Sequence, residues 1–305
     1  MAFCVWERIW GEAMEKKKTA AALGLFDGVH LGHRAVINAA LAQRKNGLSA
    51  SVFTFEPECV LRKAGGASGY IYTRAEKEML LWEMIKVDDI LSPPFESFCS
   101  LSGEEFAEEI LCRQMRAAHV CCGNDFRFGK NAACGAQELI GFGKRFGFEV
   151  EIVSPVECGG SIVSSSRIRE LLLKGDIASA NVLLGFNYFI NAKVTDGNHI
   201  GRTIDFPTIN QEFSEGQLVP RYGVYSTLTN VGGRVLPSVT NVGVKPTIEG
   251  TRRPLAETHI IGYKGDLYGK TVDVCFKDFI RPEKKFGSLD ELKAQISADI
   301  LKADI

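Results

Sequence analysis

The chain has 305 residues, which is enough for two domains of ordinary size. Its 36 basic and 37 acidic residues nearly cancel, and the net charge of −1 gives no global attraction to nucleic acid or to a membrane surface. The nine cysteines form no C-x-x-C pair, which favours reduced thiols. No uncharged apolar run approaches the ~18 residues of a membrane span, and no signal peptide is visible. The composition predicts a cytoplasmic protein that has neither nucleic acid nor a membrane as its partner.

The first predicted element is a buried strand over residues 20–25, followed by a turn at Asp27 and the glycine after it. Apolar residues at helical spacing come next. His30 and His33 lie where the strand gives way to the helix, and their spacing places both imidazoles on one face. Gly32 lets a ligand approach the backbone, and a helix N-terminus attracts anions. The turn therefore predicts phosphate chemistry, although two histidines can also cap a helix or bind a metal.

The same segment, GLFDGVHLGH, resembles the H-x-G-H signature of the nucleotidyltransferase superfamily. In its G-x-F-D-G-V-H-x-G-H form it is similar to the bacterial bifunctional FAD synthetases, which combine riboflavin kinase and FMN adenylyltransferase. The resemblance implies that Gly24, Phe26 and Gly32 contact nucleotide. It further implies that His30 and His33 stabilise charge at the α-phosphate of ATP.

Strands and helices alternate through the rest of the N-terminal half. Capping boxes, in which a Ser or Thr is followed three residues later by Glu, open two of the helices, at Thr73 and at Ser102. The predicted strands cover residues 51–55, 89–91, 119–122 and 148–153, and the predicted helices cover 73–85, 102–115 and 136–146. This alternation predicts a mostly parallel sheet that binds ligands beyond the C-terminal ends of its strands.

Two further N-terminal motifs resemble the same family. Residues 123–129, GNDFRFG, resemble G-x-[ND]-F-x-F-G, which implies nucleotide contact at Asp125, while the two phenylalanines can anchor the loop by packing. Three serines, Ser164, Ser165 and Ser166, open a helix that ends at Gly175. Residues 164–169, SSSRIR, resemble the family motif S-S-T-x-I-R. With Arg169 they imply a triphosphate clamp, although such hydroxyls can simply be N-caps. One departure is Glu58-Cys59, where the family has His-Pro.

The C-terminal half is rich in short β segments separated by Gly and Asn turns, which predicts a barrel or a sandwich. The predicted strands cover residues 188–194, 223–229, 235–242, 258–263 and 271–279. Ser288 opens a last helix, which we expect to pack on the barrel and which carries four apolar residues: Leu289, Leu292, Ile296 and Ile300. Together with the resemblance, these elements predict an α/β fold class. Residues 1–184 are expected to form a Rossmann-like nucleotidyltransferase domain that contains a parallel sheet. A C-terminal β-barrel domain with a terminal helix follows over 185–305.

The most informative stretch of this half covers residues 197–210, GNHIGRTIDFPTIN. It lacks the G-K-[ST] ending of a Walker loop and resembles the riboflavin kinase signature G-R-x-x-x-x-P-T-x-N. The resemblance implies nucleotide contacts at Gly201, Arg202 and Pro207. It implies that Thr208 and Asn210 hold Mg²⁺, and that Glu257, in an E-x-H-[IL] match, is the base for the ribityl hydroxyl of riboflavin. Alone, Glu257 would be a solvated strand residue.

The predicted function is therefore ATP-dependent phosphorylation of riboflavin to FMN, followed by adenylyl transfer from ATP to FMN to give FAD and pyrophosphate. Mg²⁺ is the expected cofactor, and riboflavin, FMN and ATP are the expected partners of a monomer or weak homo-oligomer. One alternative is an aminoacyl-tRNA synthetase, which shares the histidine turn but would add a K-M-S-K-S loop and a tRNA-binding module. Another is a flavin-binding regulator that has lost one or both activities, which the Glu58-Cys59 departure keeps open.

Overall fold

The structure is a computed structural model that describes residues 17–58, 69–196, 206–246 and 252–303. Spatial contacts group the chain into two compact units. The first unit contains the described residues up to Leu25, together with Arg34–Phe55 and Ile85–Pro155. The second contains Phe26–His33 and the described residues of Glu56–Met84 and of the chain from Val156 onward. The predicted domain division at residues 184/185 stays a prediction.

The first unit is built on a five-stranded parallel sheet in the order β3-β2-β1-β4-β5. Its strands are β1 (Thr19–Leu23), β2 (Ser49–Phe53), β3 (Asp89–Leu91), β4 (Ala117–Gly123) and β5 (Glu149–Val153). The central strand β1 is buried at all five positions, as expected for a parallel sheet covered on both faces. The predicted α/β fold with a parallel sheet is confirmed.

Helices of both units begin and end largely at the residues that the local signals predict. They are α1 (Leu31–Ala42), α2 (Arg74–Met79, continuing as the π-helix Leu80–Ile85), α3 (Gly103–Glu105, continuing as the π-helix Phe106–Gln114), α4 (Ala136–Phe146), α5 (Ser165–Lys174) and α6 (Ile177–Leu184). Both capping boxes are present, with the Thr73 hydroxyl accepting from Glu76 N and the Ser102 hydroxyl accepting from Glu105 N. The two π-helical stretches and the short helix α6 were not predicted. Within the described ranges, no helix is both long enough and apolar enough to cross a membrane.

Aromatic side chains fill the core of the first unit beside β2. The ring of Phe53 meets Phe98 at a centroid distance of 5.3 Å and Phe106 at 5.2 Å, both edge to face. Such contacts add to the hydrophobic gain of burying large rings. Phe106 also contacts Phe128, so the loop after β4 is fastened to this core.

The second unit contains a six-stranded antiparallel sheet in the order β8-β13-β10-β11-β12-β9. After the short hairpin of β6 (Glu157–Cys158) and β7 (Ser161–Ile162), its strands are β8 (Phe189–Lys193), β9 (Ile209–Glu212), β10 (Gly223–Val231), β11 (Arg234–Pro246), β12 (Arg252–Ile260) and β13 (Thr271–Arg281). Thr195 N donates to Asn210 O at 2.8 Å and brings the two edge strands together. The sheet is thus a nearly closed barrel, as predicted.

The terminal helix α7 (Leu289–Ala303) docks on the barrel through its C-terminal part. Ala303 packs with Val224 and Val239, and the buried Asp299 carboxylate pairs with the Arg281 guanidinium at 2.7 Å. The expected packing of this helix on the barrel is confirmed, although the Leu289 side chain at its start is 57% exposed. The ion pair and the apolar contacts lie about three turns further along the helix.

A row of hydroxyl groups occupies the barrel interior. Five fully buried side chains form it: Thr227, Thr229, Ser238, Thr240 and Thr258. They are linked by hydrogen bonds of 2.8–2.9 Å in an unbroken series that crosses β10, β11 and β12. Each buried hydroxyl therefore has a partner, which removes the cost of leaving a polar atom unsatisfied.

Candidate active sites

The backbone of the histidine turn is strained. Phe26 has φ 53° and Val29 has φ 43°, although neither residue is glycine and both are buried. A β-branched side chain is particularly unfavourable at positive φ, and each such residue costs on the order of 1–3 kcal/mol. Val29 N donates to Phe26 O at 3.2 Å and closes the turn. This strained turn places His30 directly before the first residue of α1.

The two histidines stack on each other. Their ring centroids are 3.6 Å apart and their planes differ by 17°, so the prediction of one shared face is confirmed. His33 N donates to His30 Nδ1 at 3.3 Å, so His30 also caps the helix. Because His30 Nδ1 accepts that bond, the proton of the neutral ring lies on Nε2, where it can be donated to a ligand. Phe26 meets the His33 ring edge to face at 5.4 Å.

Burial keeps both imidazoles neutral. Burial, together with the positive charge of Arg169, lowers the pKa of His30 to about 4. Burial also holds the pKa of His33 well below its usual range. His33 Nδ1 is a buried polar atom with no hydrogen-bond partner among the described residues. The pair can thus donate hydrogen bonds to an anion at neutral pH without being imidazolium.

Gly32 is tightly enclosed. A Cβ at this position would lie 3.1 Å from His30 Cε1 and 3.4 Å from Val163 O. Val163 precedes the first turn of α5, so the missing side chain lets the N-terminal ends of α1 and α5 approach each other. Two helix N-termini near one point favour an anion there.

Asp27 connects this turn to α5, and sequence reasoning missed that role. Its carboxylate accepts from Ile71 N at 2.9 Å and forms a buried ion pair with Arg169, while its carbonyl accepts from Ser165 Oγ at 2.7 Å. Burial raises the pKa of Asp27, and the charge of Arg169 opposes that shift. The aspartate stands inside the motif that carries the resemblance, but its local signal was turn chemistry alone.

The serine motif shows one capping and one bridging hydroxyl. Ser164 Oγ accepts from Arg167 N at 3.3 Å and is the N-cap of α5, as one of the two readings predicted. Ser165 bonds to the Asp27 carbonyl, and Ser166 is exposed. The Arg169 guanidinium donates through Nε to Gly69 O at 2.9 Å in addition to its ion pair. Contact of these residues with a triphosphate stays a prediction.

Two charged residues of α2 are buried in the second unit, which no local sequence signal indicated. The Glu76 carboxylate, beyond its capping bond, accepts from Asn191 N at 2.8 Å and from Gln217 Nε2 at 3.0 Å. Burial lowers the pKa of Lys77 to about 8, while the charge of Asp27 opposes that shift. Helix α2 is thereby bonded to the barrel and adds a positive charge to the electrostatic surroundings of Asp27 and His33.

Two of the predicted nucleotide contacts lie in the first unit. Asp125 is exposed in the loop after β4, and Gly24 donates from its N to Phe53 O at 3.2 Å. The Phe126 and Phe128 rings stack at 5.7 Å, and Phe128 is part of the core. The expectation that these rings anchor the loop is confirmed.

A second group of polar side chains lies in register on the barrel. Asn210 on β9 pairs with Glu257 on β12, which pairs with Asn241 on β11, so the three residues share one face of the sheet. Asn210 is 4% exposed, and its Oδ1 has no hydrogen-bond partner within the described part of the chain. Thr208 and Glu257 are half-buried. A buried oxygen without a protein partner beside a carboxylate suits a cation or a polar ligand.

The segment before β9 is held by His259. Its Nδ1 donates to Pro207 O at 2.9 Å, and its ring meets Phe206 edge to face at 5.4 Å. These contacts fix the approach of the chain to Thr208. Gly201 and Arg202 lie outside the described residues, as does Cys59 of the departing loop, where Glu58 is exposed.

The neutral histidine pair at a helix N-terminus and the polar row on the barrel are the features expected of an enzyme of phosphate-group transfer. A riboflavin kinase family model matches residues 184–305, and an FAD synthetase family model matches residues 12–167. The bifunctional riboflavin kinase/FMN adenylyltransferase of Escherichia coli strain K12 is 35% identical over 284 residues, covering 92% of this chain and 90% of that one. Its counterpart in Bacillus subtilis is 35% identical over 292 residues, covering 93% and 91%.

One solved structure agrees in fold. It comes from Streptococcus pneumoniae, is described as a macrolide-efflux protein, and is similar with a TM-score of 0.81 at 31% identity, covering 95% of this chain and 94% of that one. The chain belongs to the bifunctional riboflavin kinase/FMN adenylyltransferase family. This placement selects the flavin enzymes over the aminoacyl-tRNA synthetases that share the histidine turn.

Proposed function

We propose that the two sites divide the two ATP-dependent steps of flavin cofactor synthesis between them. The barrel domain, residues 185–305, phosphorylates riboflavin to FMN. The histidine turn, in the domain of residues 1–184, transfers the adenylyl group of a second ATP to FMN. The observation that carries the second assignment is the stacked pair of neutral imidazoles with a buried, unpartnered nitrogen at the start of α1.

In the adenylyl step an FMN phosphate oxygen attacks the α-phosphorus of ATP. A new P–O bond forms, the bond to the β-phosphate bridging oxygen breaks, and pyrophosphate leaves. No general base is required, since the attacking phosphate is already ionised. His30 and His33 donate hydrogen bonds to the oxygens on which negative charge builds, and Ser164 and Ser165 at the start of α5, with Arg169, contact the leaving pyrophosphate. Nucleotide contacts at Gly24 and Asp125 belong to the same proposal.

Arg169 takes part in this step through its charge. Its guanidinium is paired with Asp27 in the structure, so it acts on the phosphates either directly or by keeping the histidine turn and α5 together. Both actions favour an anion at the N-terminal ends of the two helices.

In the kinase step the ribityl hydroxyl attacks the γ-phosphorus of ATP and ADP leaves. Glu257 receives the hydroxyl proton, and a positioned carboxylate suffices because a loose transition state needs the base only late. Thr208 and Asn210 would hold Mg²⁺, and the unpartnered buried Oδ1 of Asn210 fits a cation that prefers oxygen ligands. A bound Mg²⁺ neutralises phosphate charge.

We infer a cytoplasmic monomer or weak homo-oligomer. The seven cysteines of the described residues are free thiols, which supports a reducing compartment. Size-exclusion chromatography at several protein concentrations tests the oligomeric state.

The test of function is a time course with riboflavin and Mg-ATP in which the flavins are separated. The unchanged protein should form FMN and then FAD. His30→Asn should accumulate FMN without FAD, and Glu257→Gln should form no FMN yet convert supplied FMN to FAD. Each variant is the folding control for the other, since each retains one step. FAD formation by His30→Asn at the normal rate would overturn the assignment of that site, and binding of flavin without any turnover would favour the regulator instead.

A further inference from the structure

A separate cluster of metal-ligating side chains lies on one face of the sheet in the first unit. His119 and Cys121 alternate along β4 and therefore point to the same side. The parallel register pairs His119 with Glu149 and Cys121 with Glu151 on β5. Residues paired in a sheet share a face, so all four side chains meet at this edge of the sheet. None of the four belongs to the proposed flavin sites.

The distances suit a single ion. His119 Nε2 lies 3.1 Å from Glu151 Oε2, and the ligand atoms of His119, Cys121 and Glu151 all lie within 4.8 Å of one another. With metal–ligand bonds of about 2.0–2.3 Å, neighbouring ligand atoms of a tetrahedral site are about 3.3–3.7 Å apart. Small side-chain rotations therefore bring the three atoms to one ion, and the exposed side of the cluster leaves a fourth position for water.

The other imidazole nitrogen of His119, Nδ1, also has a hydrogen-bond partner. His119 Nδ1 lies 3.3 Å from Glu149 Oε2, so this carboxylate can accept the Nδ1 proton while Nε2 faces the ion. Metal-binding histidines commonly have such a carboxylate, which fixes the tautomer and the ring orientation. The Gln43 amide, 3.5 Å from Nε2, completes the surroundings of the ring.

We propose that His119, Cys121 and Glu151 bind a transition metal ion of the Zn²⁺ type, with Glu149 orienting the imidazole. One thiolate, one imidazole and one carboxylate match Zn²⁺ and its tetrahedral relatives, whereas Mg²⁺ and Ca²⁺ require oxygen ligands throughout. The metal would bind the Cys121 thiolate, so its binding would release the thiol proton. The ion would join the edge strand β5 to β4.

The test uses Co²⁺ as a spectroscopic substitute for Zn²⁺, added to full-length protein treated with a chelator. One equivalent should give the visible absorption of a tetrahedral site and a thiolate-to-cobalt band in the near ultraviolet, and Zn²⁺ should abolish both. Cys121→Ser should lose the thiolate band. Cys122→Ser is the matched control, because this cysteine is the next residue on β4 but belongs to the core on the other face. Glu149→Gln should weaken Co²⁺ binding about 10–100-fold, as loss of an orienting carboxylate does elsewhere.

Circular dichroism and the conversion of supplied FMN to FAD, the step assigned to residues 1–184, verify that each variant is folded. The absence of a stoichiometric cobalt spectrum in the folded, unchanged protein would overturn the proposal, as would a thiolate band that persists in Cys121→Ser. Equal loss of the band in folded Cys122→Ser would assign the signal to another thiol and would overturn it as well. A Zn²⁺-dependent rise in the unfolding temperature that Cys121→Ser lacks would support it, because an ion bound only by the folded state stabilises that state.

Discussion

Protonation of His30 should destabilise the protein as the pH falls below neutral. Burial lowers the pKa of this imidazole from 6.5 to about 4 in the folded protein. The unfolded chain therefore binds the proton more readily than the folded protein. The contribution of this group to the free energy of unfolding is highest above pH 6.5, where His30 is neutral in both states, and it falls as the pH is lowered toward 4. The whole shift corresponds to about 3 kcal/mol, of which about 2 kcal/mol is lost between pH 7.5 and pH 5.

The assay is urea unfolding of the unchanged protein and of His30→Asn at several pH values from 7.5 to 5. Asparagine retains an acceptor for the His33 amide, so the variant keeps its helix cap. The unchanged protein should lose about 2 kcal/mol more unfolding free energy than the variant over this range. Ser166→Ala, an exposed and non-titrating change, should follow the unchanged protein. Parallel pH profiles for the unchanged protein and His30→Asn would refute the reasoning that burial keeps this histidine neutral.

Three further changes probe the site and the barrel. Gly32→Ala places a Cβ 3.1 Å from His30 Cε1, so the rate of FAD formation from FMN should fall while FMN formation persists; equal loss of both rates would contradict this. Asp299→Ala removes the carboxylate that pairs with Arg281 and should lower the free energy of unfolding in urea by about 3–5 kcal/mol. The control Asp290→Ala changes an exposed residue and should change that free energy by less than about 0.5 kcal/mol. Thr240→Val breaks the hydroxyl row at two bonds and should cost about 1–3 kcal/mol in the same assay, and no loss would mean that the row contributes no stability.

Local sequence signals predicted much of the fold because they depend on neighbours along the chain. The strand Asp89–Leu91 and the helix Ala136–Phe146 were predicted with their observed bounds. Gly175 ends α5 with φ 80°, a conformation that glycine adopts without strain. Strand β9 was missed because its first two residues belong to the end of the kinase motif and its sequence, INQE, has no apolar alternation that marks a strand. The π-helical turns were missed because an apolar pattern does not distinguish them from α-helix.

The difference between local and long-range contacts also explains what could be predicted about the histidine site. The spacing of His30 and His33 predicted one shared face, because only a helical turn separates them. The charge state of the pair depends on burial and on Arg169, whose partner Asp27 is 142 residues away along the chain. No sequence motif predicts that Arg169 forms an ion pair with Asp27 in addition to binding phosphate.

This long-range pairing changes how the motif should be understood chemically. A histidine turn considered alone suggests imidazolium ions attracting phosphate, but desolvation keeps the pair neutral, so in the proposed mechanism it would act through oriented N–H groups. Positive charge comes instead from Arg169, which is bonded to the turn through Asp27. Donors that are fixed and uncharged need little reorganisation when charge develops on a transferring phosphate, and separating them from the cation lets each be positioned independently. The backbone strain at Phe26 and Val29 is consistent with a turn whose shape is determined by these contacts rather than by its own preference.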